Sequence, residues 1–301
     1  MNSQEQLQLE SERKFLKQQL ESLPPTAVLT RSSAESRMKI VEAFLASQPR
    51  QPKPMKAVLT FRGRPVVGSH GMFAEFGSRA ANAFTEAVVT VGAALLGPLA
   101  PTGPLPNREQ CQLLITNTAI GSFGFEFEEH RLGQLPFSEE TPVSRALEIT
   151  RGLLESSAQG TDDELAECAS GISPRSIEAV RGFVQALATN EAVCTLVFGK
   201  QRFGFQDVGE VRKSLDRLSQ DNLHETETKL FGEFQGVLPK GRTFEFRVAE
   251  AEVVRGKIGV EIDNPEEINR HLHQPVEITV LETRVGMGKP RYQLLKLPTW
   301  R

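Results

Sequence analysis

The chain has 301 residues, 39% hydrophobic and 24% charged, with mean hydropathy −0.28 and a formal net charge of −3. That composition is the composition of a soluble globular protein and excludes a wholly disordered chain. At this length two domains, or one domain with appendages, are expected, and a folded body of this size buries roughly 75% of the surface of its unfolded chain.

Charge is unevenly spread: +2 over residues 1–54, 0 over 55–137, −6 over 138–225 and +1 over 226–301. No segment carries the basic excess that non-specific phosphate binding requires, so any nucleic-acid contact must be local. Cys111, Cys168 and Cys194 are odd in number, far apart and without C-x-x-C spacing. They read as thiols in a reducing compartment rather than a disulfide framework or a zinc site. The polar start Met1-Asn2-Ser3-Gln4-Glu5 does not read as a signal peptide, and the most apolar run, Ala87 to Leu96, is interrupted by Thr90 and Gly92. It falls far below the ~20 residues of a membrane span, and a cytoplasmic location with no membrane partner is expected.

Leu9, Leu16, Leu20 and Leu23 recur at spacings of seven, four and three, which places them on one helix face with the character of a coiled-coil seam. Pro24-Pro25 ends that helix. Ser32 followed by Glu35 has the pattern of a capping box and announces a second helix, with Met38, Val41 and Leu45 on one face. Residues 1–54 therefore read as a helical hairpin arm and a Pro-rich linker. Two amphipathic helices are not stable alone, so the arm is expected to dock on the body or on another subunit.

Residues 55–225 read as a mixed α+β central domain of antiparallel hairpins and packed helices. It opens with a hairpin, Ala57 to Phe61 and Pro65 to Val67, turning at Gly63. A long helix from Phe73 carries Phe73, Phe76, Ala80, Phe84, Ala87, Val91 and Leu95 on its core face. Two strands follow, Cys111 to Thr118 and Phe123 to Glu129, the second with aromatic residues alternating with Gly124, Glu126 and Glu128. Three helices begin at Thr141-Pro142, at the acidic turn Asp162-Asp163-Glu164 and at Ser173-Pro174. Ala192 to Phe198 and Arg202 to Gln206 form another hairpin, after which Asp207 caps a helix. A hairpin followed by a helix thus occurs twice, a weak hint of pseudo-symmetry.

Residues 226–301 read as five strands with a short helix between the third and fourth: Lys229 to Val237, Thr243 to Ala249, Val253 to Ile258, a helix from Asn264 to near Leu272, Val276 to Val285 and Tyr292 to Leu297. That order is the order of a small OB-like barrel, in which ligands lie across the second and third strands between the loops joining strands one to two and four to five. Those loops hold Lys240 and Arg242, and Lys289 and Arg291, while Arg247, Arg255 and Lys257 sit on the intervening strands and Tyr292 offers a stacking surface. These eight residues form the best candidate set for an anionic ligand. Phe244 and Phe246 are assigned to the barrel interior. Against the set stand ordinary turn chemistry and nearby acidic residues, among them Glu245, Glu250, Glu252 and Glu261.

Other features are thinner. Ser69, His70 and Gly71 precede the long helix, where backbone donors suit an anion. His271 and His273 lack a third metal ligand, and His224 with Glu225 and Glu227 reads as a polar linker. Glu126 and Glu128 share a strand face but have no recognisable tuning base. No catalytic motif, metal site or cofactor loop is found, and an enzyme is the less favoured reading. The leading expectation is a non-enzymatic interaction or scaffold subunit of a larger complex, acting through its arm and barrel on a protein partner or another copy. A single-stranded nucleic-acid-binding barrel is the first alternative, and an enzyme with a site near His70 the second.

Overall fold

The computed structural model describes residues 3–24, 27–47, 54–119, 123–130, 140–219, 221–248, 253–286 and 288–300. The fold is mixed α+β: a helical hairpin, a five-stranded antiparallel sheet with helices, and a closed C-terminal barrel.

The arm consists of α1 (Ser3–Ser22) and α2 (Val28–Ser47). Leu16, Ala34 and Val41 are buried between them, flanked by Leu9, Leu20, Met38 and Leu45, so the seam read from the leucine spacing forms at Leu9, Leu16 and Leu20, while Leu23 lies past the end of α1 and outside the cluster. α2 begins earlier than the Ser32 pattern implies. Ala27 already accepts from Arg31 N–H at 3.0 Å, which leaves Ser32 exposed inside the helix rather than at its cap.

In the body β1 (Lys56–Gly63) is the middle strand of the five-stranded sheet. It lies between β5 (Gly124–Glu129) and β6 (Ala192–Phe198), antiparallel to both. β4 (Leu113–Ala119) and β7 (Gln201–Gly204) form the edges. Alternation does the sorting: Ala57, Leu59 and Phe61 point into the core, whereas Lys56, Val58 and Thr60 point away from it. The expected pairing of Ala57–Phe61 with Pro65–Val67 does not occur, because both edges of β1 are already taken. The short β2 (Val66–Val67) pairs instead with β3 (Gly71–Met72). With that hairpin gone, the apparent repeat of hairpin and helix loses its first member.

α3 (Ala74–Leu96) crosses the sheet on the predicted face, burying Phe76, Ala80, Phe84, Ala87 and Val91. Phe84 packs its ring on Phe127 at 5.1 Å and Phe183 at 5.5 Å, and burying one such ring contributes about 2 kcal/mol. Phe73 and Leu95 leave the core face. Phe73 is the extended N-cap residue, off the helical wheel, and Leu95 lies in the last turn, and both are exposed. Cys111 ends a 3-10 turn, Arg108–Cys111, instead of starting β4.

α4 (Pro142–Ala158), α5 (Asp162–Ala169), α6 (Pro174–Thr189) and α7 (Val208–Arg217) complete the body, with caps at Thr141, Thr161, Ser173 and Asp207 whose side chains accept from the third helical N–H. The α5 cap is Thr161. Its box partner Glu164 accepts from Thr161 N–H at 2.7 Å, and these bonds hold the Glu164 carboxyl below its ordinary range.

The barrel contains β8 (Leu223–Leu238), β9 (Thr243–Val248), β10 (Val253–Ile258), β11 (Pro275–Val285) and β12 (Arg291–Leu294), closed in the order β10-β12-β11-β8-β9. All neighbours are antiparallel except β10 and β12. β8 is longer than expected. The segment read as a polar linker, His224 to Glu227, is strand, because β11 supplies a continuous ladder from Val285 opposite Leu223 to Pro275 opposite Glu233. The expected short helix is a 3-10 turn, Pro265–His271, that buries Ile268 beneath the barrel. Asn269 ties the turn to β8 through Val237 N–H and C=O, each at 3.0 Å. Phe244 and Phe246 do face inward, their rings meeting Phe234 at 5.9 and 5.0 Å.

Candidate functional site

A cleft of about 750 Å3 opens where β8, β9, β10 and β12 of the barrel meet Asn269, with the C-terminal end of α5 as its far wall. Gly256 in the middle of β10 forms part of its floor. A Cβ there would come within 2.5 Å of Tyr292 O and 2.6 Å of the Phe244 ring, so glycine is what lets β9, β10 and β12 close tightly. On either side of Gly256 the pleat sends Arg255 and Lys257 outward, and Arg291 and Tyr292 enter from β12.

α5 is laid across this part of the barrel and tied at both ends. At its C-terminus Lys257 Nζ donates to Glu167 O at 2.9 Å and Ser170 O at 3.0 Å, a cation on carbonyls that the helix end leaves without intrahelical partners. The Glu167 carboxylate lies between two cations, 3.6 Å from Lys257 Nζ and 3.1 Å from Arg291 Nε. At the N-terminus Asp163 Oδ1 accepts from Lys289 N–H at 2.8 Å, and Arg217 of α7 reaches Asp162 at 2.7 Å. The loop joining the fourth and fifth barrel strands is thereby held against the body.

The eight candidate residues therefore separate. Arg255, Lys257, Arg291 and Tyr292 line the cleft. Arg242 is used within the barrel: its guanidinium donates to the carbonyls of Ile258 at 3.2 Å, Ile262 at 3.0 Å and Gly259. Arg247 pairs with Glu233 at 3.1 Å and Gln235 at 2.9 Å on the barrel's outer surface. Lys240 and Lys289 are exposed on their loops and do not line the cleft.

Within the cleft each cation already has an acid beside it, since Arg255 Nε is 2.8 Å from Glu245. The Arg291 pairing is imperfect: its Nε–H is buried and makes no hydrogen bond, although Glu167 is close. Glu167, Ser170 and Asn269 are cleft residues that sequence reading did not reach. The Thr161-x-x-Glu164 box made α5 legible as a helix, but no local signal ties it to a strand 90 residues further on.

The remaining candidates do not assemble. Ser69 and His70 are exposed in a turn, where His70 N–H donates to Val67 O at 3.1 Å, and β3 separates them from α3. Glu126 and Glu128 face Lys56 across the strand pair, at 2.6 and 3.5 Å. The Glu126 bond raises the Lys56 ammonium above its ordinary value, so this is a charge-paired sheet face. His271 stacks on Trp300 at 4.3 Å and bonds Gln274 through Nδ1 at 3.2 Å. Among the described residues no three His, Cys, Asp or Glu side chains converge on a metal position, and no helix is long and apolar enough to cross a membrane. Burial pushes the Cys111 thiol up to about 11 and Cys194 higher still, the direction of inert thiols.

The cleft thus supplies shape, paired charges and an aromatic side chain, the materials of recognition. Comparison of the chain with protein-family models, with curated proteins and with solved structures finds no match in any of the three.

Proposed function

We propose that this protein is a non-enzymatic interaction subunit that uses its helical arm to join a larger assembly and its barrel cleft to hold a segment of a protein partner. One observation carries the reading. The arm's buried residues form a cluster separate from those of body and barrel, while Phe15, Leu29 and Ile40 remain 60–87% exposed on its outside. Singly exposed apolar residues are ordinary; several on one helical hairpin, beyond the seam it already buries, form a docking surface. The cleft fits the same role. Its charges are balanced in pairs, so an extended peptide with both acidic and basic groups can exchange partners with Arg255–Glu245 and Lys257–Glu167 without stranding a charge. Quantitative mass spectrometry of proteins copurifying with the tagged chain tests the reading. A partner recovered by the native protein and lost when Phe15 and Ile40 are changed to Glu supports it; equal recoveries by both remove its basis.

A second reading, single-stranded nucleic acid in the cleft, is favoured by the unsatisfied Arg291 Nε–H on the barrel face where OB-like folds take oligonucleotides. A phosphate there must displace Glu167 from Arg291 and Lys257. Anisotropy of a labelled oligonucleotide at low salt decides: salt-sensitive binding weakened by Arg255→Ala and Arg291→Ala supports this reading, and no binding ends it.

A further inference from the structure

Outside the seam the arm exposes Phe15 on α1 and Leu29 and Ile40 on α2. Arg37 Nε reaches Glu12 Oε1 at 2.6 Å and Nη2 reaches Oε2 at 3.1 Å, so this pair marks one side of the hairpin and sets Glu12 and Arg37 level with each other. The Arg37 guanidinium holds the Glu12 carboxyl below its ordinary range. Phe15 lies three residues beyond Glu12 and Ile40 three beyond Arg37, so both stand on the pair's side. Leu29, three turns before Ile40, shares its face. Along this face α2 runs Leu29, Ser33, Ser36, Ile40 and α1 runs Gln8, Ser11, Phe15, Gln19, Ser22; the strip is uncharged and partly polar, apart from the mutually paired Glu12 and Arg37 at its centre line. Lys14, Lys17, Glu35, Lys39 and Glu42 lie on other sides of their helices.

We propose that this face is covered by the same face of a second copy of the chain, the two hairpins forming a four-helix bundle; the inference rests on the reading of the arm as the docking element. Size supports it. Helices of 20 residues are about 30 Å long and pack about 10 Å apart, so a two-helix face offers roughly 600 Å2 per copy and roughly 1,200 Å2 in a pair, enough for a specific interface. Charge supports it as well. Identical faces normally meet with like charges opposed, but this strip has none outside the Glu12–Arg37 pair. A two-fold axis parallel to the arm places Glu12 of each copy opposite Arg37 of the other. The same axis sets Phe15 over Ser33 of the other copy and Ile40 over Ser11, large residues against small ones as knobs into holes. Both bodies then lie at one end of the bundle.

Sedimentation equilibrium of the full chain, from low to high micromolar concentration, tests this. A monomer–dimer equilibrium is expected, with Phe15→Glu/Ile40→Glu weakening it about tenfold or more. Both side chains are exposed and outside the seam, so far-ultraviolet circular dichroism of the variant should match the native chain. Glu12→Arg alone should also weaken the dimer, and Glu12→Arg/Arg37→Glu should restore it. A native chain that stays monomeric throughout, or a dimer indifferent to Phe15→Glu/Ile40→Glu, overturns the inference. In the monomeric case, a different protein that still binds the native chain and not the double variant leaves the docking arm standing; if none does, both proposals fall.

Discussion

Glu225 stands opposite Thr283 across the ladder of β8 and β11, and neither Glu225 Oε1 nor Thr283 Oγ1 finds a hydrogen-bond partner. Burial raises the Glu225 carboxyl above its ordinary value of 4.5. The folded state therefore binds this proton more tightly than the unfolded one. Its contribution to stability is full below 4.5 and declines as pH rises through the interval between the two values. Glu225→Gln, neutral throughout, should be more stable than the native chain at neutral pH, with the gap closing below 4.5; urea melts at several pH values measure it. A gap that widens on acidification contradicts the assignment. Gly256→Ala tests the floor of the cleft. The added methyl has Tyr292 O at 2.5 Å and the Phe244 ring at 2.6 Å, and overpacking of that kind costs about 1–3 kcal/mol in a denaturant melt. At this scale alternation was readable: Phe244 and Phe246 point inward as period two requires. The role of Arg242 was not, because its carbonyl acceptors lie 16 to 20 residues on, in a turn whose path only the closed barrel defines.

Among elements, α5 is eight residues long and tied at both ends. The barrel holds it through Lys257 at its C-terminal end and through Lys289 N–H on Asp163 at its N-terminal end, while the Asp162–Arg217 pair ties that second end to α7 of the body. Arg217 Nη1 also donates to the carbonyls of Ser156, Ser157 and Gly160 at 2.8 to 2.9 Å, gathering the end of α4 and the start of α5. Arg217→Met keeps the stem and removes these bonds, and should cost about 3 kcal/mol. It should also speed amide exchange in the loop of Gly286 and Gly288, since the α5 N-terminus that braces that loop is loosened. Helix starts were legible from the sequence because hydroxyl and acidic caps act within four residues, as at Thr141, Ser173 and Asp207. Strand partners were less so. The neighbours of β1 depend on strands some 65 to 140 residues away, and the nearby Val66–Val67 offered a local hairpin that β1, paired on both sides, had no free edge to accept. The cleft was legible only on its barrel side, since nothing in the barrel sequence announces that α5, far earlier in the chain, forms the opposite wall.

At the scale of the molecule the described residues form three hydrophobic clusters: one in the arm, one under the sheet that reaches Val285 of β11, and one in the barrel. The arm cluster is the smallest, and its net stability comes from three buried side chains and their flanks. Val41→Asp should therefore melt the arm while leaving the unfolding midpoint of body and barrel unchanged, read as lost helicity without a shifted main transition. The exposed strip of the arm is proposed to engage another polypeptide rather than the body of its own chain. Cross-linking mass spectrometry of the protein in the cells that produce it measures this most directly, through Lys14, Lys17 and Lys39, which are exposed on the arm. These three are expected to link chiefly to other polypeptide chains, a second copy included when isotopically mixed chains are used. Links confined to lysines of the same chain's body would contradict it.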